Sequence, residues 1–519
     1  MSDPVAGASG GPGPVRFLFG VHLHQPVGNF DSVFESHARD VYHPLVNQLE
    51  RRHHGPVLFH LSGPLLEWLE AHDTSLLDRL GTLAADGRIE FLLGGMYEPI
   101  LASIPRADRV EQVVWFRDAL RARFGVSGEG LWLTERVWEP ELAFDLASAG
   151  VRYVLVDDRH FLVTGFQREQ LHVPWRTESD GAALTVLAID ERLRYLIPFR
   201  PTEEIAAYFR DLRAAGHPLA VFADDGEKFG GWPGTRDWVY GRGWFDRFYD
   251  TLDELVADGT VRLAGASEAL VAVPPGGLAY LPTASYREME AWALPAKPAL
   301  RLAAFEEEVG AERMAGPDGA LVRGSHWRNF LTKYAESNRL QKKTSALSVL
   351  CRKRGDPPAA RRAIARAQCN DALWHGVFGG LYLPHLRGAL WRQLAIAERA
   401  LRAGEALAAE SVDLDADGAD EVWVHSDRFS AVVAPARGGA LVDFTRFGAG
   451  TNLADTLTRR LEAYHLQRPH AAARAEGERE GAPSIHAIEA ALLLESPPPV
   501  DLDDRAIGVA RVLAAGVTE

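Results

Sequence analysis

Cysteine is nearly absent from the chain. Cys351 and Cys369 are the only two among 519 residues, too few for a disulfide framework or a cysteine-based metal centre, and this usage fits a reducing, cytoplasmic setting. Basic charge is short as well: 56 Lys plus Arg stand against 71 Asp plus Glu, leaving −15 overall. That balance argues against sequence-independent binding to nucleic acid, whose phosphates demand a basic face. No run of about 18 uncharged apolar residues, the least that spans a membrane, is present. The opening MSDPVAGASGGPGPV has no basic region followed by an apolar one, so residues 1–14 read as a flexible Gly/Pro-rich leader and not as a signal peptide. Internal repeats are missing too.

What is present is ordinary globular composition, 47% hydrophobic and 24% charged, in a chain long enough for two or three domains. VRFLFGVHLHQ, RIEFLLGG, GLWLTE, VRYVLVDD, LTVLAID, PLAVFADD and GTVRLAGA each read as a buried strand ending in polar or glycine residues. Amphipathic segments such as ADRVEQVVWFRDALRARF lie between most of them. Strands alternating with helices imply parallel βαβ units and an α/β barrel of fewer than eight strands over residues 15–296, with chemistry at the strand C-terminal ends. Residues 297–412 read as helices, the loop DLDADGAD at 413–420 marks a boundary, and EVWVHSDRFSAVVAPARGGALVDFTRF alternates as an antiparallel sheet does.

Carboxylates cluster where these strands end. In LWLTERVWEP, at 131–140, Glu135 and Arg136 sit in an apolar run between Trp132 and Trp138; such a carboxylate serves either an ion pair or a reaction centre. In VFADDGEKFG, at 221–230, three acids fall within four residues. They repel one another, and burial raises the pKa of the most desolvated, the asymmetry glycosidic cleavage needs between an ionised nucleophile and a protonated acid. A surface acidic turn is the plain alternative; the spacing does not match a twelve-residue calcium loop.

Aromatic side chains attend both stretches. Trp132, Trp138, Trp232, Trp238, Trp244 and Trp374 lie in Gly- and Pro-rich contexts where an indole can stack on the apolar face of a sugar. Plain packing explains Trp138 and Trp244 equally well, whereas Trp232 in KFGGWPGT is expected to be exposed. In GVHLHQP, His22 and His24 share one strand face, fitting either a metal with a distant Asp or hydrogen bonding to a sugar. Glu98 ends LLGGMYEP, as a strand-end carboxylate or a helix N-terminal acid.

HLHQP, GGMYEP, WLTERVWEP, DDGEKFG and NDALWHG, in that order across residues 15–465, resemble the sequence regions of glycoside hydrolase family 57, in its 4-α-glucanotransferase and α-amylase branch. The resemblance implies a (β/α)7 barrel, an incomplete TIM-like barrel, followed by a helical region and a C-terminal β-sandwich. It implies retaining chemistry on α-1,4-glucan donors and acceptors, with no metal and no cofactor. Carried over by position, Glu135 is the nucleophile and Asp225 the general acid/base, with Asp224 as rival one residue away. His24, Glu98, Trp132, Trp232 and Trp374 match substrate positions. Asp371 and His375 join them as neighbours of Trp374, His22 as the partner of His24, and Arg136 as the cation expected to lower the pKa of Glu135. A retaining pair is expected to stand roughly 5–5.5 Å apart. The part after Glu421 is shorter than the branch's sandwich, so residues 413–519 are expected to form a partial, truncated one.

The leading expectation is therefore a 4-α-glucanotransferase, with α-amylase as the alternative. A metal-dependent carbohydrate deacetylase using His22, His24 and an Asp, and a catalytically silent glucan-binding protein, complete the set. A homodimer is one assembly open to the chain, and neither nucleic acid nor membrane is an expected partner.

Overall fold

The computed structural model describes residues 12–466, 481–482 and 498–515. The expected leader up to residue 11 and most of the C-terminal stretch from 467 to 497 lie outside the described residues. Nine strands form the first sheet: β1 (Val15–Leu23), β2 (Val57–Leu61), β3 (Ile89–Leu93), β4 (Gly130–Trp132), β5 (Tyr153–Asp157), β6 (Trp175–Ser179), β7 (Ala182–Ile189), β8 (Leu219–Asp225) and β9 (Val261–Leu263). Seven of them run parallel in the order β7-β5-β4-β3-β2-β1-β8. The two ends meet where the Asp190 N–H donates to the Val221 carbonyl at 2.9 Å. The sheet is thus a (β/α)7 barrel.

Two strands stand outside that count. Strand β6 is antiparallel to β7 and joined to it by Asp180-Gly181, both at positive φ (49° and 77°), the dipeptide that a tight two-residue hairpin favours. GTVRLAGA gives only the three-residue β9 beside the start of β1, while VLFHL, not singled out among the sequence's strand runs, supplies β2.

Both faces of the strands are covered, so they read as continuous apolar runs. Leu18, Leu58, Leu92, Leu155, Leu187 and Val221 fill the barrel interior. From the other face of β1, Phe17 meets Phe209 of helix Thr202–Ala214, and Phe19 meets Phe248 of helix Trp244–Ala257. With period two, this alternation turns His22 inward at the barrel mouth, in register with His60 and Asp225.

Helices Ala335–Lys353, Pro358–Ala367 and Pro384–Leu401 follow. The second sheet is antiparallel and in chain order: β10 (Ala408–Val412), β11 (Glu421–His425), β12 (Phe429–Ala434), β13 (Ala440–Arg446) and β14 (Thr451–Asn452). Buried Lys343 ties it to the helices, its ammonium donating to Ser430 Oγ at 2.9 Å and to Asp443 and standing 3.1 Å from Glu398. Among the described residues this region is a single sheet layer. No described helix is long and apolar enough to cross a membrane.

Candidate active site

The C-terminal ends of the barrel strands open into a cleft of about 350 Å³ lined by His22, His24, Trp132, Glu135, Asp225 and Trp374, among others. Aromatic side chains form part of its walls, Phe199, Trp232, Tyr286, Trp292 and Phe378 joining the two indoles beside the charged groups.

At the end of β8, two adjacent aspartates have opposite surroundings. Asp224 is buried and bound on all sides: Arg194 Nε donates to it at 2.8 Å, Lys228 Nζ donates to the same carboxylate, and Arg136 Nη1 lies at 3.6 Å. Burial favours the neutral acid, but these three cations hold Asp224 well below the usual carboxylate range. Asp225 faces the cleft, and its carboxyl has no hydrogen-bond partner among the described residues. Burial and the fixed charge of Asp224 push its pKa up.

Glu135 follows β4 in a left-handed conformation at φ 51°, as does Arg136 at φ 50°, a region that costs a non-glycine residue about 1–3 kcal/mol. A remote segment holds it there. Ser285 Oγ donates to the Glu135 carbonyl at 2.5 Å, the Tyr286 hydroxyl to its Oε2 at 2.7 Å, and the Trp138 N–H to the Ala284 carbonyl at 3.0 Å. Burial and the charge of Asp225 push Glu135 up to about 7, against the opposing effects of Arg136 and Tyr286. Arg136 does lower the pKa of Glu135, as expected, but not enough to leave it ionised at low pH against burial and Asp225. Its guanidinium is turned to Asp224 at 3.6 Å and Asp157 at 3.9 Å and packs 4.3 Å above the Tyr286 ring, so burial wins at Glu135.

The segment between helices Pro358–Ala367 and Pro384–Leu401 supplies the facing wall. His24 Nε2 lies 3.1 and 3.2 Å from the two carboxylate oxygens of Asp371. Burial works against a charged ring, but Asp371 outweighs it and raises His24 to about 9. Asn370 accepts from the Trp374 indole at 2.7 Å and donates through Nδ2 to the Glu98 carbonyl at 2.8 Å. Glu98, also left-handed at φ 50°, is thereby clamped by a residue 272 positions away.

Two residues expected at the site lie outside the cleft. Glu98 is buried behind it, accepting from Thr134 Oγ1 at 2.9 Å and pushed up to about 7 by burial. His375 points the other way, 3.2 Å from the Tyr334 hydroxyl and 3.5 Å from Glu462. Trp232 is half-buried, not exposed, because its ring stacks on Phe199 at 5.9 Å. Trp138, Trp238 and Trp244 pack away from the cleft, each indole N–H donating to a backbone carbonyl.

His22 and His24 do not converge on a common metal position: their rings stack at 5.7 Å and His24 is engaged by Asp371. The group of metal-ligating type near the cleft is instead His22, His60 and Glu98, all buried, with ligand atoms within 4.8 Å of one another. There the two Nδ1 atoms already share a proton at 2.7 Å, and burial holds both rings neutral, His60 at about 3. Sequence reading missed His60, Arg194 and Tyr286, and named Glu227 only as one acid of the β8 turn. The strand-end pattern that flagged His22 covers His60, whereas nothing local marks Tyr286, 151 positions from the carboxylate it holds. Glu227 lines the cleft, accepts from Tyr42 at 2.8 Å and is pushed up to about 7 by burial and Asp225.

The sequence model described as Glycosyl hydrolase family 57 matches residues 18–282. The chain belongs to glycosyl hydrolase family 57. Two further models match parts of this family 57 chain: the middle domain of α-amylase/4-α-glucanotransferase over residues 325–401, and the C-terminal domain of the same group over 413–493. The chain is 45% identical over 475 residues to a 4-α-glucanotransferase of Thermococcus kodakarensis, covering 91% of this chain and 71% of that one. Identity to an α-amylase of Pyrococcus furiosus is 43% over 476 residues, covering 92% and 71%. The solved 4-α-glucanotransferase of Thermococcus litoralis matches the family 57 chain with a TM-score of 0.83 at 43% identity, covering 89% of this chain and 71% of that one. Strain at Glu135 and the locked Asp224 thus sit in a glycoside hydrolase scaffold.

Proposed function

We propose that this protein is a 4-α-glucanotransferase that acts on α-1,4-glucans by retaining double displacement, with Glu135 as nucleophile and Asp225 as general acid/base. The observation that carries the assignment is the split between neighbouring aspartates. Asp224 is held ionised by three cations, so Asp225, buried beside that fixed negative charge and without a donor, is pushed toward keeping a proton. Once it does, its repulsion of Glu135 disappears, and the Tyr286 hydroxyl stabilises the remaining carboxylate.

In the first step a Glu135 oxygen attacks the anomeric carbon. Asp225 passes its proton to the departing 4-oxygen, leaving a covalent glycosyl-enzyme. In the second step Asp225 takes a proton from the incoming hydroxyl as that oxygen displaces Glu135. His24, charged through Asp371, puts a positive ring on the cleft wall, and Trp132, Trp232 and Trp374 offer faces to sugar rings. An aromatic cleft favours a glucan over water as acceptor, which supports transfer. Hydrolysis is the second reading, favoured by the relatives at similar identity that carry the name α-amylase. Two free cysteines, both buried, support a cytoplasmic location.

The test is the product profile on maltoheptaose, resolved by chain length, for the wild type and for Glu135→Gln and Asp225→Asn. Products longer than the substrate with little new reducing sugar, abolished by both substitutions, are expected. Only shorter products with rising reducing ends assign the chain to hydrolysis.

A further inference from the structure

The loop between β10 and β11 has no part in glucan chemistry, yet it concentrates acid in an ordered form. Asp413, Asp415 and Asp417 alternate and Gly418 follows at φ 93°, the arrangement that opens a calcium loop, with a carboxylate at every second position and glycine sixth. Glu421 supplies a further carboxylate at the ninth position instead of the twelfth. One oxygen from each of Asp413, Asp415 and Glu421 comes within 4.8 Å of the others.

An independent observation points to a ligand. Asp415 is 6% exposed, and its buried Oδ1 has no hydrogen-bond partner among the described residues. Leaving such an oxygen unsatisfied is costly in a folded chain, most of all for a charged group. The neighbouring cations do not fill the need: Arg339 lines a cavity with Asp415 and Glu421 without a hydrogen bond to Asp415, and Arg437 Nη2 stays 3.9 Å from the other oxygen of Asp415 and 3.8 Å from Asp417, while its Nη1 is spent on Asp504 at 2.8 Å. Glu421 is held in place through one oxygen only, which accepts from the Leu414 N–H at 2.9 Å. We propose that this loop is a structural Ca²⁺ site, with Asp413, Asp415 and Glu421 as its protein ligands. The all-oxygen donor set, with neither histidine nor cysteine, selects a hard cation, and the irregular spacing suits Ca²⁺ over the octahedral demands of Mg²⁺.

The site joins two parts of the molecule. Asn338 of helix Ala335–Lys353 donates to the Asp415 carbonyl at 2.6 Å, so an ion gripped by Asp415 also braces that helix against the antiparallel sheet.

Calorimetric titration of the full chain with CaCl2 tests this, alongside thermal melting in Ca²⁺, in Mg²⁺ and in EDTA. One Ca²⁺ per chain is expected, with a Kd of roughly 10⁻⁶–10⁻³ M and a melting temperature in saturating Ca²⁺ about 3 °C or more above that in EDTA. Asp415→Asn and Glu421→Gln are each expected to weaken binding at least about tenfold and to remove the melting shift. Should Asp415→Asn fail to fold, Asp413→Asn carries the test, since Asp413 is exposed and bonds only to backbone N–H groups of its own loop. Absence of binding at about 10 mM Ca²⁺ overturns the proposal. So does binding that the loop variants leave unchanged, and so does an equal response to Mg²⁺.

Discussion

Replacing Tyr286 by Phe removes one hydroxyl and leaves the ring. In the folded chain that hydroxyl donates to Glu135 Oε2 at 2.7 Å, while the ring carries the Arg136 guanidinium at 4.3 Å. A hydrogen bond to a charged group is worth about 1.5–3 kcal/mol, and one pKa unit corresponds to about 1.4 kcal/mol. Loss of the donor therefore raises Glu135 by about 1–2 units from a starting value of about 7. The reaction needs the carboxylate, so activity is present above that pKa and is lost as pH falls through it. The acidic limb of kcat/KM then moves to higher pH by the same 1–2 units or so, and at a pH below both limbs the rate drops roughly ten- to a hundredfold. Measuring kcat/KM for maltoheptaose across the pH range in both proteins resolves the limb. If the variant loses the same factor at every pH and its limb stays in place, Tyr286 supports the fold and not the carboxylate.

Asp371→Asn tests the other wall of the cleft. The His24–Asp371 pair contributes stability that is full below the ordinary histidine pKa of about 6.5 and is lost as pH rises through about 9. In the variant burial is opposed only by Glu98 and Glu227, so the His24 ring is expected to lose its proton well below pH 9 in an NMR titration; a ring still titrating near 9 contradicts the pairing. Asp224→Asn strips a charge from buried Arg194, Lys228 and Arg136 and is expected to cost about 3–5 kcal/mol in chemical denaturation. A loss under about 1 kcal/mol means the cations find other partners. Asp225→Asn is expected to spare cleavage of an aryl maltooligosaccharide, whose leaving group departs without a proton, far more than cleavage of maltoheptaose. Equal losses on the two substrates remove Asp225 from the acid role.

Much of this was legible in the chain because the barrel places chemistry where apolar runs turn polar. Glu135, Asp225 and His24 each follow such a run, and each lines the cleft. Strand β2 was overlooked because its apolar run passes almost directly into the equally apolar helix Gly63–His72, which blurs its end. Strand β9 was overcounted because a hydrophobic alternation says nothing of how many residues find a partner. Adjacency misled at His375: the backbone is extended at Trp374, so neighbouring side chains point to opposite sides, and one residue serves the cleft while the next faces Glu462. Arg136 shows the deepest limit. Its neighbour in sequence is Glu135, but its ion partners come from the ends of β5 and β8, and only the closed barrel brings those together.

The pairing of His24 with Asp371 spans 347 positions, which gives the site a history as well as a shape. A ribosome adding roughly 5–20 residues per second releases the histidine on the order of half a minute before its carboxylate. Through that interval a nascent barrel holds its strand-end acids without the wall bearing Asp371 and Trp374, and His24 there lacks the charge that keeps it protonated. Synthesis of the helices is thus the step that switches the pocket on, so glucan recognition awaits nearly three quarters of the chain.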